Sequence, residues 1–279
     1  MISPYQAHGL HIKFSEPTRK EDRFMKDLNI MSETFSGYRH ENFAVLQLKR
    51  HFLLRTTNLQ LRDMALDFLD RISEDRSAKL LVLIGAPDAK GREEFNEFFR
   101  NFYAKGMDLT LIHRMYNVIS QLVLKLASLE KFVIYVNSGN VLASFLNIGL
   151  ACDYRMLADN VIVQNPCIEM GLVAKGGGAY FLPKILGTTR TYEIMLREAD
   201  LDAIEAKELG LVHEVIPAAK INEQAFARAA EFAAKPESSL SAIKKLISYS
   251  YKDLREYLEY ENEILINIIR LNELNCHLG

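Results

Sequence analysis

The sequence predicts an α/β fold that ends in a helical C-terminal third. Three observations carry this. Two short continuous apolar runs, Lys79-Leu-Leu-Val-Leu-Ile84 and Phe132-Val-Ile-Tyr-Val136, are each closed by turn residues, as strands buried on both faces are. Between them Leu111, Met115, Val118, Ile119, Leu122 and Leu126 recur at helical spacing. After Pro217 only helical periods remain. Strands alternating with helices indicate a parallel sheet with helical cover.

Taken in order, Met1–Gly37 shows no sustained period of 2 or 3.6 and is read as a leader. Phe43-Ala-Val-Leu-Gln-Leu48 alternates well enough for a strand. Leu61, Met64, Ala65, Phe68, Leu69 and Ile72 form one helix face, with Asn58 or Thr57 as its N-cap. The Leu80–Ile84 strand is ended by Gly85-Ala-Pro87. The helix from Asp108 to Leu129 follows, then the Phe132–Val136 strand and a turn at Asn137-Ser-Gly-Asn140. Ile221–Ala234, Ser239–Ser248 and Asp253–Leu274 are helical in period. In the last of these Leu254, Leu258, Ile264, Ile268 and Leu271 make an apolar stripe that the core or a second subunit must cover.

Composition narrows the function classes. The 279 residues include 34 basic and 36 acidic side chains, a net charge of −2, and 49% are hydrophobic. This is the balance of a globular domain large enough for a substantial core. It gives no general attraction to nucleic acid or to an anionic membrane. The three cysteines, Cys152, Cys167 and Cys276, are an odd number and read as thiols of a reducing compartment. No run has the length and hydropathy of a signal peptide or a bilayer span. The expectation is a cytoplasmic protein without nucleic-acid or membrane partners. The seven histidines show no metal-ligand spacing, so no metal site is expected.

One segment is more specific. Leu150-Ala-Cys-Asp-Tyr-Arg155, Ala158-Asp-Asn160, Gly171-Leu172, Gly176-Gly-Gly178, Leu182-Pro-Lys-Ile-Leu-Gly187 and Ala206-Lys-Glu-Leu-Gly-Leu-Val212 follow one another within residues 132–217. In order and spacing this segment resembles the crotonase superfamily, the enoyl-CoA hydratase/isomerase proteins. More weakly, the resemblance runs from Tyr38 to Ile268. It implies a leader at 1–37, a crotonase-like spiral of ββα units at 38–217, and a helical C-terminal oligomerisation region at 218–279 that builds a homotrimer or hexamer. It implies an acyl-CoA or acyl-carrier thioester as substrate, with coenzyme A as part of that substrate and no separate cofactor. The last helix of the family often brings an aromatic and a lysine to the nucleotide. Here it reads as truncated after Leu274.

Chemistry beside a thioester carbonyl passes through an enolate, which two backbone N–H groups aimed at the oxygen stabilise. One of them belongs at a helix start, where the macrodipole adds positive potential. On the resemblance this is the N–H of Ser144, in Ser144–Cys152. The other falls on Lys90, in Asp88-Ala-Lys-Gly-Arg92, a loop without the family's Phe-x-x-Gly-x-Asp pattern. The chain departs from the family at several further positions. Ala143-Ser144-Phe145 replaces a glycine run, so Phe145 narrows the substrate site. The two glutamates that hydratases use fall on Asn147 and Cys167. Asn exchanges no proton near neutral pH, and a thiol, with a reference pKa of about 8.5, is no direct substitute for a carboxylic acid. Lys175 stands where some members place a carboxylate.

Each candidate has a plainer reading. Asn147 orients a water or carbonyl, or is a satisfied polar remnant. Cys167 is a nucleophile, or a buried inert thiol. Lys175 anchors an acidic group or acts as a desolvated base, or is a solvated lysine at a helix start. Gly176 and Gly177 line the substrate, or allow close backbone approach; they fit no phosphate-loop pattern. Glu169 reads as a surface or helix-pairing charge, Asp153 and Arg155 as structural, and His113 as a core-edge histidine. The expected function is therefore an enoyl-CoA hydratase/isomerase family enzyme that works through an oxyanion hole. Isomerisation, decarboxylation and thioester cleavage are open to it; two-glutamate hydration is not expected. The alternative is a catalytically silent thioester-binding or scaffold subunit.

Overall fold

The computed structural model describes residues 28–278 apart from Thr56, with side chains through Leu271. The first 27 residues of the expected leader, and the side chain of Cys276, lie outside the described residues.

Short strands open the fold: β1 (Ile30–Met31), β2 (Phe35–His40) and β3 (Phe43–Leu48). They form an antiparallel meander, with Phe35 opposite Leu48 and His40 opposite Phe43. The sheet thus begins inside the stretch read as leader. Phe35 is fully buried, yet the strand Phe35-Ser-Gly-Tyr-Arg-His40 has too little apolar alternation to announce itself.

A single helical turn, α1 (Phe52–Arg55), leads to α2 (Leu59–Glu74). Asn58 caps α2, its side chain accepting the N–H groups of Gln60 (3.0 Å) and Leu61 (3.5 Å). Next come β4 (Leu80–Ile84), α3 (Arg92–Ala104), α4 (Leu109–Ser128) and β5 (Phe132–Asn137). Asp108 caps α4 through the N–H of Thr110 at 2.9 Å. The remaining elements are β6 (Asn140–Leu142), α5 (Ala143–Leu150), β7 (Tyr154–Ala158), β8 (Ile162–Gln164), α6 (Gly178–Met195, broken at Gly187), β9 (Leu201–Asp202), α7 (Ala203–Glu208), β10 (Glu214–Ile216), α8 (Ile221–Ala233), α9 (Glu237–Ser248) and α10 (Leu254–Leu278). The last helix runs four residues past Leu274, where the sequence reading ended it.

The main sheet has the order β1-β2-β3-β4-β5-β7-β10, parallel from β3 onward. A small sheet has the order β6-β8-β9, with β6 and β8 parallel. Two successive pairs each put one strand in the large sheet and one in the small, β5 with β6 and β7 with β8, and a helix follows each pair. This is the expected spiral of ββα units, and it sets α5 at the junction of the two sheets.

Buried polar contacts lock the layers. Lys244 of α9 reaches under β5 to Asp153 (2.8 Å) and to the carbonyls of Leu126 and Lys131 (3.0 Å each). Arg155 donates to the carbonyls of Leu211 and Cys152, both at 2.7 Å. Asp153 and Arg155 are structural, as read. α10 packs on α4 within the same chain, which buries Leu254 and Leu258 and half-buries Ile268. Much of the stripe expected to need a partner is therefore covered internally, while Ile264 and Leu271 stay exposed. No described helix is long and apolar enough to cross a membrane.

Candidate active site

The start of α5 is held from below. Tyr135 of β5 packs its ring under Gly149, where a Cβ would come within 2.7 Å of the ring. Its hydroxyl donates to the carbonyl of Phe145 at 2.8 Å. From above, Gly176 and Gly178 press on Asn147: a Cβ at Gly176 would stand 3.1 Å from the Ser144 carbonyl oxygen, and one at Gly178 2.7 Å from the Asn147 amide nitrogen. The glycine run thus serves close backbone approach. Gly176 also has φ +114°, a region that side chains other than glycine avoid. Ser144 is the second residue of α5, so its N–H has no partner four residues back and points out of the helix start.

Beside this helix start lies a mostly apolar cleft, with about 690 Å³ of space between its walls that includes open solvent. Ser144, Phe145, Cys167 and Lys175 line it, together with Phe52, Phe95, Phe99 and Met115. Four of the expected site residues are thereby brought together. The others are not. Asn147 faces a second pocket of about 600 Å³, between α5, α6 and Leu201. Its side-chain amide donates to the carbonyls of Lys175 (3.2 Å) and Ala174 (3.5 Å), so it ties α5 to the glycine loop. Gly176 and Gly177 line neither pocket; they pack against α5 and α10. Lys90 extends its side chain into solvent toward Glu93. Its backbone N–H is already engaged, donated to Oε1 of Glu94 at 3.1 Å.

The two ionisable candidates in the pocket are both buried, so Lys175 is not the solvated lysine of its plainer reading. Burial pushes the Cys167 thiol up to about 12, which favours the neutral S–H near pH 7. Lys175 is 2% exposed and ion-paired with Glu261 of α10, which also accepts the N–H of Gly177 at 2.9 Å. Burial lowers the Lys175 ammonium and Glu261 pulls it back up. Glu169 pairs with Arg92, which also reaches Asp200 at 2.8 Å, in keeping with a helix-pairing charge.

Sequence reasoning missed Glu94. It is the third residue of α3, only 7% exposed, and among the described residues it is the one carboxylate that lines the first pocket. Nε of Arg50 donates to Oε1, and Nδ1 of His51 lies 3.5 Å from Oε2. His51 holds this position with a left-handed φ of +63°. A signal existed: Phe95, Phe98, Phe99 and Phe102 have the spacing of a buried helix face directly after Glu94. Tyr116 also lines the pocket; burial raises its phenol well above the ordinary value.

Comparison with known proteins identifies the family. The enoyl-CoA hydratase/isomerase family model matches residues 39–274. A probable enoyl-CoA hydratase of Mycobacterium bovis is 27% identical over 182 residues, which is 64% of this chain and 64% of that protein, so the match spans somewhat less than two thirds of the relative. The crystal structure of an enoyl-CoA hydratase from Bacillus halodurans superposes with a TM-score of 0.71 at 19% identity, over 85% of this chain and 95% of that one. A monofunctional enoyl-CoA isomerase from Mycobacterium smegmatis gives a TM-score of 0.61 at 25% identity, over 78% and 94%. With the spiral of ββα units, the glycine-packed helix start and a family match across most of its length, the chain belongs to the enoyl-CoA hydratase/isomerase family.

Proposed function

We propose that the chain is an enzyme acting on an acyl-CoA or acyl-carrier thioester by proton transfer next to the carbonyl, with isomerisation the favoured reaction and two-glutamate hydration excluded. The observation that carries this reading is the first turn of α5, where Ser144 lines a mostly apolar pocket and its N–H has no partner within the helix. The thioester oxygen would sit on that N–H, where the helix start favours developing negative charge. Phe145 would limit the bulk beside the carbonyl. Coenzyme A enters as part of the substrate, and no separate cofactor is needed for a proton shift. Cleavage through a Cys167 thioester is disfavoured, since the thiol is neutral at physiological pH.

A silent, thioester-binding member is the second reading. It draws support from the Lys90 N–H, which is occupied by Glu94 rather than free for a substrate oxygen. A homotrimer or a pair of trimers is the proposed assembly, and the cytoplasm the proposed location. Incubation with 3-hexenoyl-CoA separates the two readings. Appearance of the conjugated 2-enoyl thioester supports the enzyme. Calorimetric binding without conversion favours the silent member, and absence of both rejects thioester recognition.

A further inference from the structure

Resting on the reading above, that the first pocket holds a thioester, we propose that Glu94 is the carboxylate that moves protons there, and that at rest it occupies the Lys90 amide which the thioester oxygen must reach. The positions where hydratases of the family carry glutamates hold Asn147 and Cys167, on α5 and the loop after β8. Glu94 comes from a different element, α3, and lines the first pocket together with Cys167.

Three features fit a working carboxylate. Its residue is 7% exposed, so water competes little for the charge, yet it lines the space shared with Ser144. Arg50 and His51 lie against its two oxygens, so it can let go of the Lys90 N–H without being stranded as an unpaired buried charge. The bond it makes to Lys90 reaches back across the start of α3, a helix-start arrangement that an incoming oxygen can take over.

In the proposed step a thioester carbonyl accepts the N–H of Ser144 and displaces Glu94 from that of Lys90. The carboxylate takes a proton from the α-carbon; the C–H bond breaks and its electron pair enters the enolate, with negative charge on the oxygen held by the two amides. For a 3-enoyl thioester the protonated Glu94 returns the proton to the γ-carbon, and the double bond moves from β,γ to α,β. For a saturated acyl chain the proton returns to the α-carbon, and nothing changes but the isotope. No other reactant is required.

Butyryl-CoA is the probe. The parent chain should bind it in calorimetry and incorporate deuterium at the α-carbon in D₂O, read by mass spectrometry. Glu94→Gln keeps a hydrogen-bond acceptor for Arg50 and Lys90 but cannot take the proton. It should bind within about threefold of the parent, while exchange falls by about 10² to 10⁴, the usual contribution of a general base. Glu94→Asp, which keeps the charge and shortens the reach, should exchange at least about tenfold more slowly, and it decides the matter if the glutamine variant does not fold. Parental exchange in a folded variant overturns the role of Glu94 and leaves thioester recognition standing. So does a parent that binds without exchange. A parent that fails to bind butyryl-CoA overturns the underlying reading, and this proposal with it.

Discussion

Lys175 and Glu261 form a buried ion pair at the edge of the pocket, joining the loop before α6 to α10, with the two residues 2% and 8% exposed. Removing one partner strands the other. Lys175→Met should leave the Glu261 carboxylate with the Gly177 N–H alone and destabilise the fold by about 3–5 kcal/mol. The double variant Lys175→Met, Glu261→Leu should recover most of that loss, because no charge is left buried. Urea unfolding of the three proteins checks this. A single variant as stable as the parent would mean that losing the partner does not strand the Glu261 charge.

The sequence made this pair half visible. Lys175 was legible as a candidate because it stands at a matched position; Glu261, 86 residues on, reads as one more charge on an amphipathic helix. The same division runs through the molecule. β4 and β5 are legible because strands buried on both faces are apolar throughout. Asn58 is legible because an N-cap is a local event. Glu94 is not, because Arg92-Glu93-Glu94 looks like a solvated charge cluster until packing of Phe95, Phe99 and Phe102 turns one of its members inward against Arg50, 44 residues away. Asn147 is legible as a residue of α5, but which pocket it faces depends on how the glycine loop lies across that helix.

The Cys167 thiol should be unreactive in the folded protein. In a Cys276→Ser background at pH 8, a disulfide reagent should label Cys152 and Cys167 only as fast as the chain unfolds, since burial pushes both thiols up to about 12. The same shift fixes the sign of a pH dependence. Between about pH 9 and pH 12 the unfolded chain loses these protons and the folded chain keeps them, so stability falls as pH rises, by at most about 1.4 kcal/mol per pH unit for each thiol. Cys167→Ala should flatten that slope. Rapid labelling of Cys167 without unfolding would restore it as a nucleophile.

An exposed apolar row on α9, with Ile243, Leu246 and Ile247 at 52%, 77% and 60% exposure, is where the proposed assembly should make contact, since Leu254, Leu258 and Ile268 of the α10 stripe are already covered within the chain. Light scattering should give a trimer or a multiple of it. Leu246→Glu with Ile247→Glu should shift the protein to monomer while circular dichroism stays unchanged. A parent that is monomeric at micromolar concentration counts against the proposed assembly.

Hydration of crotonyl-CoA should be slow or absent. The reaction needs one group to deprotonate water and another to protonate the α-carbon, each typically contributing about 10² to 10⁴ in rate. Asn147 faces a separate pocket with its amide bound to carbonyls, and the Cys167 thiol holds its proton too tightly to be an effective general acid. Even with Glu94 in place, one of the two groups is missing. Turnover should therefore lie at least about 10² below that of a two-glutamate relative assayed alongside. Comparable turnover would show that a second acid–base group reaches the substrate.

The backbone of Ser144 can be tested apart from its side chain. Proline at this position removes the N–H, and proline is tolerated in the first turn of a helix, where no intrahelical bond is lost. Alanine removes only the hydroxyl. If the amide holds the thioester oxygen, Ser144→Pro should lose about 2.7–4 kcal/mol of transition-state stabilisation, some 10² to 10³ in rate, while Ser144→Ala should stay near the parent. Conversion of 3-hexenoyl-CoA reads the rate, and circular dichroism with a thermal melt shows whether the proline variant keeps its fold. The prediction is sharpened by Glu94. With the Ser144 donor gone, the oxygen has only the Lys90 N–H, for which Glu94 competes, so the proline variant should also bind butyryl-CoA more weakly. Equal damage from alanine would assign the chemistry to the hydroxyl. A folded proline variant with parental activity would leave the helix start without an oxyanion role, and the silent reading would then account better for the pocket.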